Sequence, residues 1–265
     1  MKIDEIICVG SSHTQGGGLH PKRNKEIVKY FSSKYKEPIS DETHSWPKLI
    51  ENISGIKTRN LGKCGTGVEY IVRNIEEILE EDISNKFFII ERSIWGRSEV
   101  WDVELKEWIV RNWGHHDGES ETNGFASYHT YDYNFEYENS DEIFWDYKHH
   151  NRIANLYLDT FMSESNELIR LDRLFLNLCY RLSYLKIPYI ILKSEQYYLH
   201  GMEDIDIIKD NTLSLEDGSD LWDYLSKKEI SIFHESNGEY DDGHAGVEGH
   251  KHLAELILKE INGRI

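Results

Sequence analysis

The stretch "ICVGSSHTQGGGL", Ile7–Leu19, opens as an apolar run and then breaks into serines, a histidine, a threonine and four glycines. Residues 3–9 read as a short buried strand, because a brief apolar run closed by turn residues suits a strand covered on both faces. Small polar residues at a strand end serve two purposes. They make tight turns, and they can present a hydroxyl to a cleft where neighbouring amides converge on a bound oxygen. The rest of the chain decides between these.

Further along, "IKTRNLG" (56–62), "KFFIIE" (86–91), "YIILK" (189–193) and "EISIF" (229–233) read as four more strands. Between them, Val68, Ile71, Val72, Ile75, Ile78 and Leu79 recur at helical spacing. Leu168, Leu171, Phe175, Leu178, Leu182 and Leu185 do the same, with Pro188 closing that helix, and Leu253, Leu256, Ile257 and Ile261 mark a last one over 247–261. Strands alternating with helices of this length predict a three-layer α/β/α sandwich with a mostly parallel central sheet. Functional loops in such a sheet collect at the carboxyl ends of its strands. The polar turn after Val9 falls there.

The 265 residues are read as one domain, 1–265, with an insertion at about 96–160 that breaks the alternation. The insertion carries Trp101, Trp108, Trp113, Trp145, the run "YHTYDYNFEYENS" and two His-His pairs. It reads either as a wall for a ligand, with Trp101 and Trp113 as the candidate substrate-binding residues, or as a satellite core under a long loop.

Thirty basic residues against 48 acidic ones give a formal charge of −18, which repels phosphate backbones and excludes nucleic acid as a partner. The longest apolar runs fall far short of a bilayer span, so no membrane association is expected. "MKIDEIICVG" carries acids where a secretory leader needs an apolar core, and three widely spaced cysteines fit reduced thiols; a cytoplasmic location is expected. Oligomeric state is not legible.

A nucleophilic serine needs a base, and the base needs an orienter. "YDDGHAGVEGHKHLAEL" supplies both near the far end of the chain. His244 is the candidate base; Asp241, three residues earlier, is the candidate orienter, and Asp242 is its rival. A neutral imidazole, with an ordinary pKa of ~6.5, is suited to accept a proton at neutral pH. The same segment offers metal-capable types in Asp241, Asp242, His244, His250 and His252. It lacks a compact zinc spacing, and His250 and His252 point to different faces of a helix, so no metal is expected.

Three blocks in order give the chain a resemblance to the SGNH (GDSL-type) hydrolase superfamily. "GSSHTQG" resembles the first block, G-D-S-x-T-x-G, with Ser12 at the nucleophile position. "NLGKCGTG" (60–67) resembles the second, with Gly65 where the family supplies an oxyanion-hole amide. "DDGHAGVEGHKHLA" resembles the last, a D-x-x-H block that places Asp241 and His244 in a triad with Ser12. The resemblance implies the family's α/β/α fold and hydrolysis of an ester without a cofactor. An acetyl group on a small molecule or polysaccharide is the expected substrate, and the oxyanion would be held by the amides of Ser12 and Gly65.

Two departures stand out. Ser11 replaces the acid of the first block, and the third block, normally G-x-N-D after the third strand, is replaced by "ERSIWGRSEVWD". Trp95 falls near the missing asparagine, with Arg92 and Arg97 as the other candidates to replace its donor. The stretch "WGRSEVW" is similar to phage-encoded relatives of the family. The missing asparagine keeps two alternatives in view. One is a non-catalytic SGNH-fold binding or structural protein, virion-associated; the other is an acyltransferase with the same triad.

Overall fold

The computed structural model describes residues 2–22, 24–93, 97–102, 107–112, 127–129, 164–194, 205–215 and 218–264, with backbone alone for 97–129 and 164–168. Four strands form a parallel sheet: β1 (Glu5–Gly10), β2 (Lys57–Gly62), β3 (Lys86–Arg92) and, later in the chain, Tyr189–Lys193. Three more strands, β4 (Arg97–Asp102), β5 (Glu107–Asn112) and β6 (Ser127–His129), pair antiparallel in a separate sheet, and Tyr189–Lys193 is therefore β7. The parallel order is β2-β1-β3-β7, so β1 lies inside the sheet with a neighbour on each side.

The helices are α1 (Ser12–Gln15), α2 (Lys25–Tyr35), α3 (Asp41–His44), α4 (Trp46–Ser54) and α5 (Val68–Leu79). They continue as α6 (Glu164–Tyr184), α7 (Asp206–Lys209), α8 (Leu221–Lys227), α9 (Ile232–Glu235) and α10 (Val247–Arg264).

Alternation along the strands sends side chains to two cores. Ile7, Val9, Phe88, Ile90 and Ile191 meet Ile71 and Ile75 of α5 and Phe175 and Leu178 of α6. Ile6, Cys8, Phe87, Ile89 and Ile190 meet Trp46 and Ile50 of α4, Leu221 of α8 and Leu253 and Ile257 of α10. Strands covered on both faces must be apolar at successive positions, which is why Ile6–Val9 and Phe87–Ile90 are continuous runs rather than alternating ones. The expected three-layer sandwich with a parallel central sheet is the architecture observed, and the helices at 68–79, 164–184 and 247–264 fall where the periodicity placed them.

The expected fifth strand, 229–233, does not form. Glu229 has φ +58, which turns the chain out of the extended region. Ser231 then makes a single antiparallel bridge to Ala245, and Ile232 starts the short helix α9. The segment is used as a clasp on the His244 loop. Ile232 N–H donates to His244 O at 2.8 Å, and Phe233 N–H donates to Asp242 O at 2.9 Å.

Among the described residues, no helix is long and apolar enough to cross a membrane.

Candidate active site

The carboxyl ends of β1, β2 and β3 and the loop before α10 converge on α1. β1 ends at Gly10, and the chain turns at once into a single helical turn starting at Ser12. Gly10 is required by close approach. A Cβ there would lie 2.3 Å from Thr14 Oγ1 and 2.5 Å from Glu91 Cβ, closer than atoms can sit. The turn is fastened from several elements. Trp46 Nε1 donates to His13 O at 3.0 Å, Asn60 Nδ2 donates to Thr14 O at 3.1 Å, and Cys64 N–H donates to Gln15 Oε1 at 2.7 Å.

The tightest fastening comes from β3. Glu91, fully buried on β3, accepts from Ser11 N–H at 3.0 Å, from Thr14 N–H at 2.7 Å, from Thr14 Oγ1 at 2.5 Å and from Ser11 Oγ. An acid at the end of the otherwise apolar "KFFII" run was the available signal, since a buried carboxylate demands hydrogen-bond partners.

Ser12 is 7% exposed at the start of α1. The amides of Ser12 and Gly65 donate to no other backbone group among the described residues. Gly65 sits at φ +81 in the loop after β2, a conformation that suits glycine. Lys63 N–H donates to Gly10 O at 3.0 Å and Thr66 Oγ1 to the same oxygen at 3.3 Å, so this loop is tied to the end of β1.

His244 approaches from the loop before α10. A Cβ on Gly17 would lie 3.1 Å from Ser12 Cβ, and one on Gly18 would lie 3.1 Å from His244 Cβ. Gly17 therefore sits against Ser12 and Gly18 against Ile232 and His244, and neither position has room for a side chain without a shift of its neighbours. The His244 ring also lies 4.8 Å from the ring of His13, the residue after Ser12. Among the described residues Ser12 Oγ and His244 share no hydrogen bond.

The carboxylate that reaches the His244 ring is that of Asp242. Its Oδ1 lies 2.7 Å from His244 Nδ1 and accepts the His244 backbone N–H at 2.8 Å. Asp241, the acid chosen from the D-x-x-H spacing, is exposed and makes no such contact, so the geometry corrects that choice in favour of its neighbour. Phe233 N–H donates to Asp242 O at 2.9 Å and so holds the backbone of this residue in place. A carboxylate can only accept, so Nδ1 donates to Asp242 and Nε2 is the ring nitrogen left to face away from it. Burial pushes the Asp242 carboxyl up, but the hydrogen bond and charge of His244 outweigh it and hold it below the ordinary value.

Trp222, at the start of α8, stands 5.8 Å from the His244 ring and 5.9 Å from His13, both edge-on, and remains 39% exposed. Its indole covers Gly243, where a Cβ would meet Cζ2 at 2.2 Å. His250 is buried one turn into α10, where Nδ1 accepts Trp46 N–H at 3.2 Å. Burial, then the charges of His244 and His44, push its pKa down to about 3.

Of the oxyanion candidates near the third block, Arg92 is removed by alternation. It points to the opposite side of β3 from Glu91, pairs with buried Asp172 of α6, and lies over the Phe175 ring at 5.7 Å. Trp95 and Trp113 lie outside the described residues. Arg97 and Trp101 are on β4, with Trp101 opposite Trp108 in register, and their side chains are outside the description. A cavity of about 360 Å³ opens behind α1, lined by Gln15, Asp41, Ser45, Lys48, Thr58 and Asn60, and includes neither Ser12 nor His244.

No family model and no curated protein sequence matches this chain. Solved structures similar to it include a protein of the G-D-S-L family from Desulfitobacterium hafniense, at 11% identity and a TM-score of 0.44 over 96% of this chain and 97% of that one. A lipolytic G-D-S-L protein from Veillonella parvula is similar at 14% identity and a TM-score of 0.39, over 96% of each chain. An acetyl xylan esterase from the rumen bacterium Butyrivibrio proteoclasticus is similar at 10% identity and a TM-score of 0.42; all of this chain spans 64% of that one.

Proposed function

We propose that this protein is a serine hydrolase that cleaves an ester, with Ser12 as nucleophile, His244 as general base and acid, and Asp242 as orienter. The observation that carries the reading is the His244 imidazole, held through Nδ1 by Asp242 and 4.8 Å from the ring of His13, the residue after Ser12.

In the first step Ser12 Oγ attacks the ester carbonyl carbon as its proton passes to His244 Nε2. The negative charge that develops on the carbonyl oxygen is received by the amides of Ser12 and Gly65. Preorganised donors of this kind each contribute ~10²–10³ in turnover. Asp242 keeps the imidazole in the Nδ1–H tautomer and stabilises the imidazolium that forms. Collapse breaks the carbon–oxygen bond to the alcohol, which takes the proton from Nε2 and leaves. Water then attacks the acyl-serine with His244 again as base, releasing the carboxylic acid and restoring Ser12.

Trp222 supports an acylated carbohydrate as substrate. Its exposed indole beside His244 offers a flat apolar wall, the kind of lining small-ligand sites use to orient a ring. The test is turnover of acetylated sugars and of p-nitrophenyl acetate by the wild type, Ser12→Ala and His244→Ala. The reading expects both variants to lose at least ~10³-fold in kcat. Wild-type rates matched by Ser12→Ala would exclude it.

A further inference from the structure

We propose that Glu91 is the positioning residue of the Ser12 turn: a carboxylate delivered from β3 that takes the place of a local helix cap and so fixes where Ser12 stands. This rests on the ester hydrolysis proposed above.

α1 lacks a side-chain cap of its own. A helix start leaves its first amides without partners, and a side chain at the residue before the helix ordinarily accepts the N–H at the third position. Ser11 occupies that capping place, yet its side chain caps nothing within the helix. Its hydroxyl is turned to Glu91 instead, and the Thr14 N–H that it would have served donates to Glu91 Oε2 at 2.7 Å. One carboxylate therefore serves Ser11 N–H, Ser11 Oγ, Thr14 N–H and Thr14 Oγ1.

These four donors flank Ser12 on both sides. With residues 11 and 14 held to one buried group, Ser12 between them has little freedom, and its own N–H is not consumed by the anchor. Hydrogen bonds to a carboxylate are roughly twice as strong as neutral ones, and more so where water is excluded. β3 is inside the sheet, paired with β1 and β7, so the anchor is rigid. Glu91 thus acts through Ser12 and does not touch the reacting atoms.

The test combines amide hydrogen exchange with kinetics on p-nitrophenyl acetate for the wild type, Glu91→Gln, Thr14→Val and Ser11→Asp/Glu91→Gln. Glu91→Gln keeps shape and removes the charge. Expected are exchange at Ser11 and Thr14 faster by about tenfold with Phe88–Ile90 unchanged, and kcat lower by about tenfold with KM within about twofold. Thr14→Val keeps the carboxylate, removes one donor and is expected to move kcat in the same direction by less. The double variant returns a carboxylate to the capping place and is expected to recover most of kcat.

Exchange and kcat within about twofold of wild type in both single variants would overturn the proposal, as would a uniform rise in exchange across the whole chain. Should the wild type hydrolyse nothing, ester hydrolysis fails while the exchange data still decide whether Glu91 holds the turn.

Discussion

Asp242 holds His244 twice, through Nδ1 at 2.7 Å and through the backbone N–H at 2.8 Å, with a single carboxylate oxygen. The double contact ties ring orientation to backbone position, so the imidazole cannot rotate without releasing its own loop. That is the arrangement expected of an orienter, and it separates two adjacent acids that sequence spacing alone does not. Asp242→Asn is expected to reduce kcat by ~10²–10⁴, since an amide at this place admits the wrong imidazole tautomer. Asp241→Asn is expected to stay within about twofold. Steady-state kinetics on the two variants side by side check this, and the reverse ranking would restore Asp241 as the orienter.

Arg92 and Asp172 form a buried pair on the α6 side of β3, which makes Arg92 structural. Removing one partner strands a buried charge, so Arg92→Leu is expected to lower stability by about 3–5 kcal/mol in urea unfolding. Arg92→Leu/Asp172→Leu should recover most of that loss, because a matched apolar pair can replace a buried ion pair. Turnover per folded molecule should match the wild type in the double variant.

His250 predicts an acid sensitivity with a defined window. Its folded pKa lies near 3, below the ordinary 6.5, so the unfolded chain takes up a proton first as pH falls. Stability is therefore lost progressively below about pH 6.5 until the folded pKa is reached, by ~2 kcal/mol at pH 5 for this residue alone. In His250→Gln the difference between unfolding free energies at pH 7 and pH 5 should shrink by about that amount.

Gly10 predicts a steric effect. Gly10→Ala places a methyl within 2.3 Å of Thr14 Oγ1 and 2.6 Å of Glu91 Oε2, and it is expected to destabilise by ~1–3 kcal/mol. Gly263→Ala, on a helix with nothing within 4 Å of the new methyl, should be neutral or slightly stabilising. Urea midpoints of the two variants, compared with the wild type, check the pair.

Much of this molecule is legible in its residues, and the reasons are local. Ile6–Val9 and Phe87–Ile90 are apolar at every position because both faces of the sheet are covered, and the helical stripes at 68–79 and 171–182 report one buried face each. Ser12 and His244 stand out as candidates in the sequence because a strand-end turn and a loop before a helix carry their own punctuation. The remainder depends on contacts between distant segments. Segment 229–233 has strand-like composition, but Glu229 at positive φ and the clasp on the His244 loop take it out of the sheet. Asp242 prevails over Asp241 because Phe233 N–H holds its backbone, a contact no spacing rule contains. Glu91 meets Ser11 across 80 residues of chain, and only the register of β1 on β3 makes them neighbours.

Ester hydrolysis at this site requires Ser12 to be an activated nucleophile. Treating the folded wild type, Ser12→Ala and His244→Ala with a fluorophosphonate probe and locating the adduct by mass spectrometry tests it most directly. One adduct, on Ser12, is expected in the wild type, none in Ser12→Ala, and labelling slowed by at least ~10²-fold in His244→Ala. An unlabelled wild type, or an adduct on another residue that persists in Ser12→Ala, would contradict it.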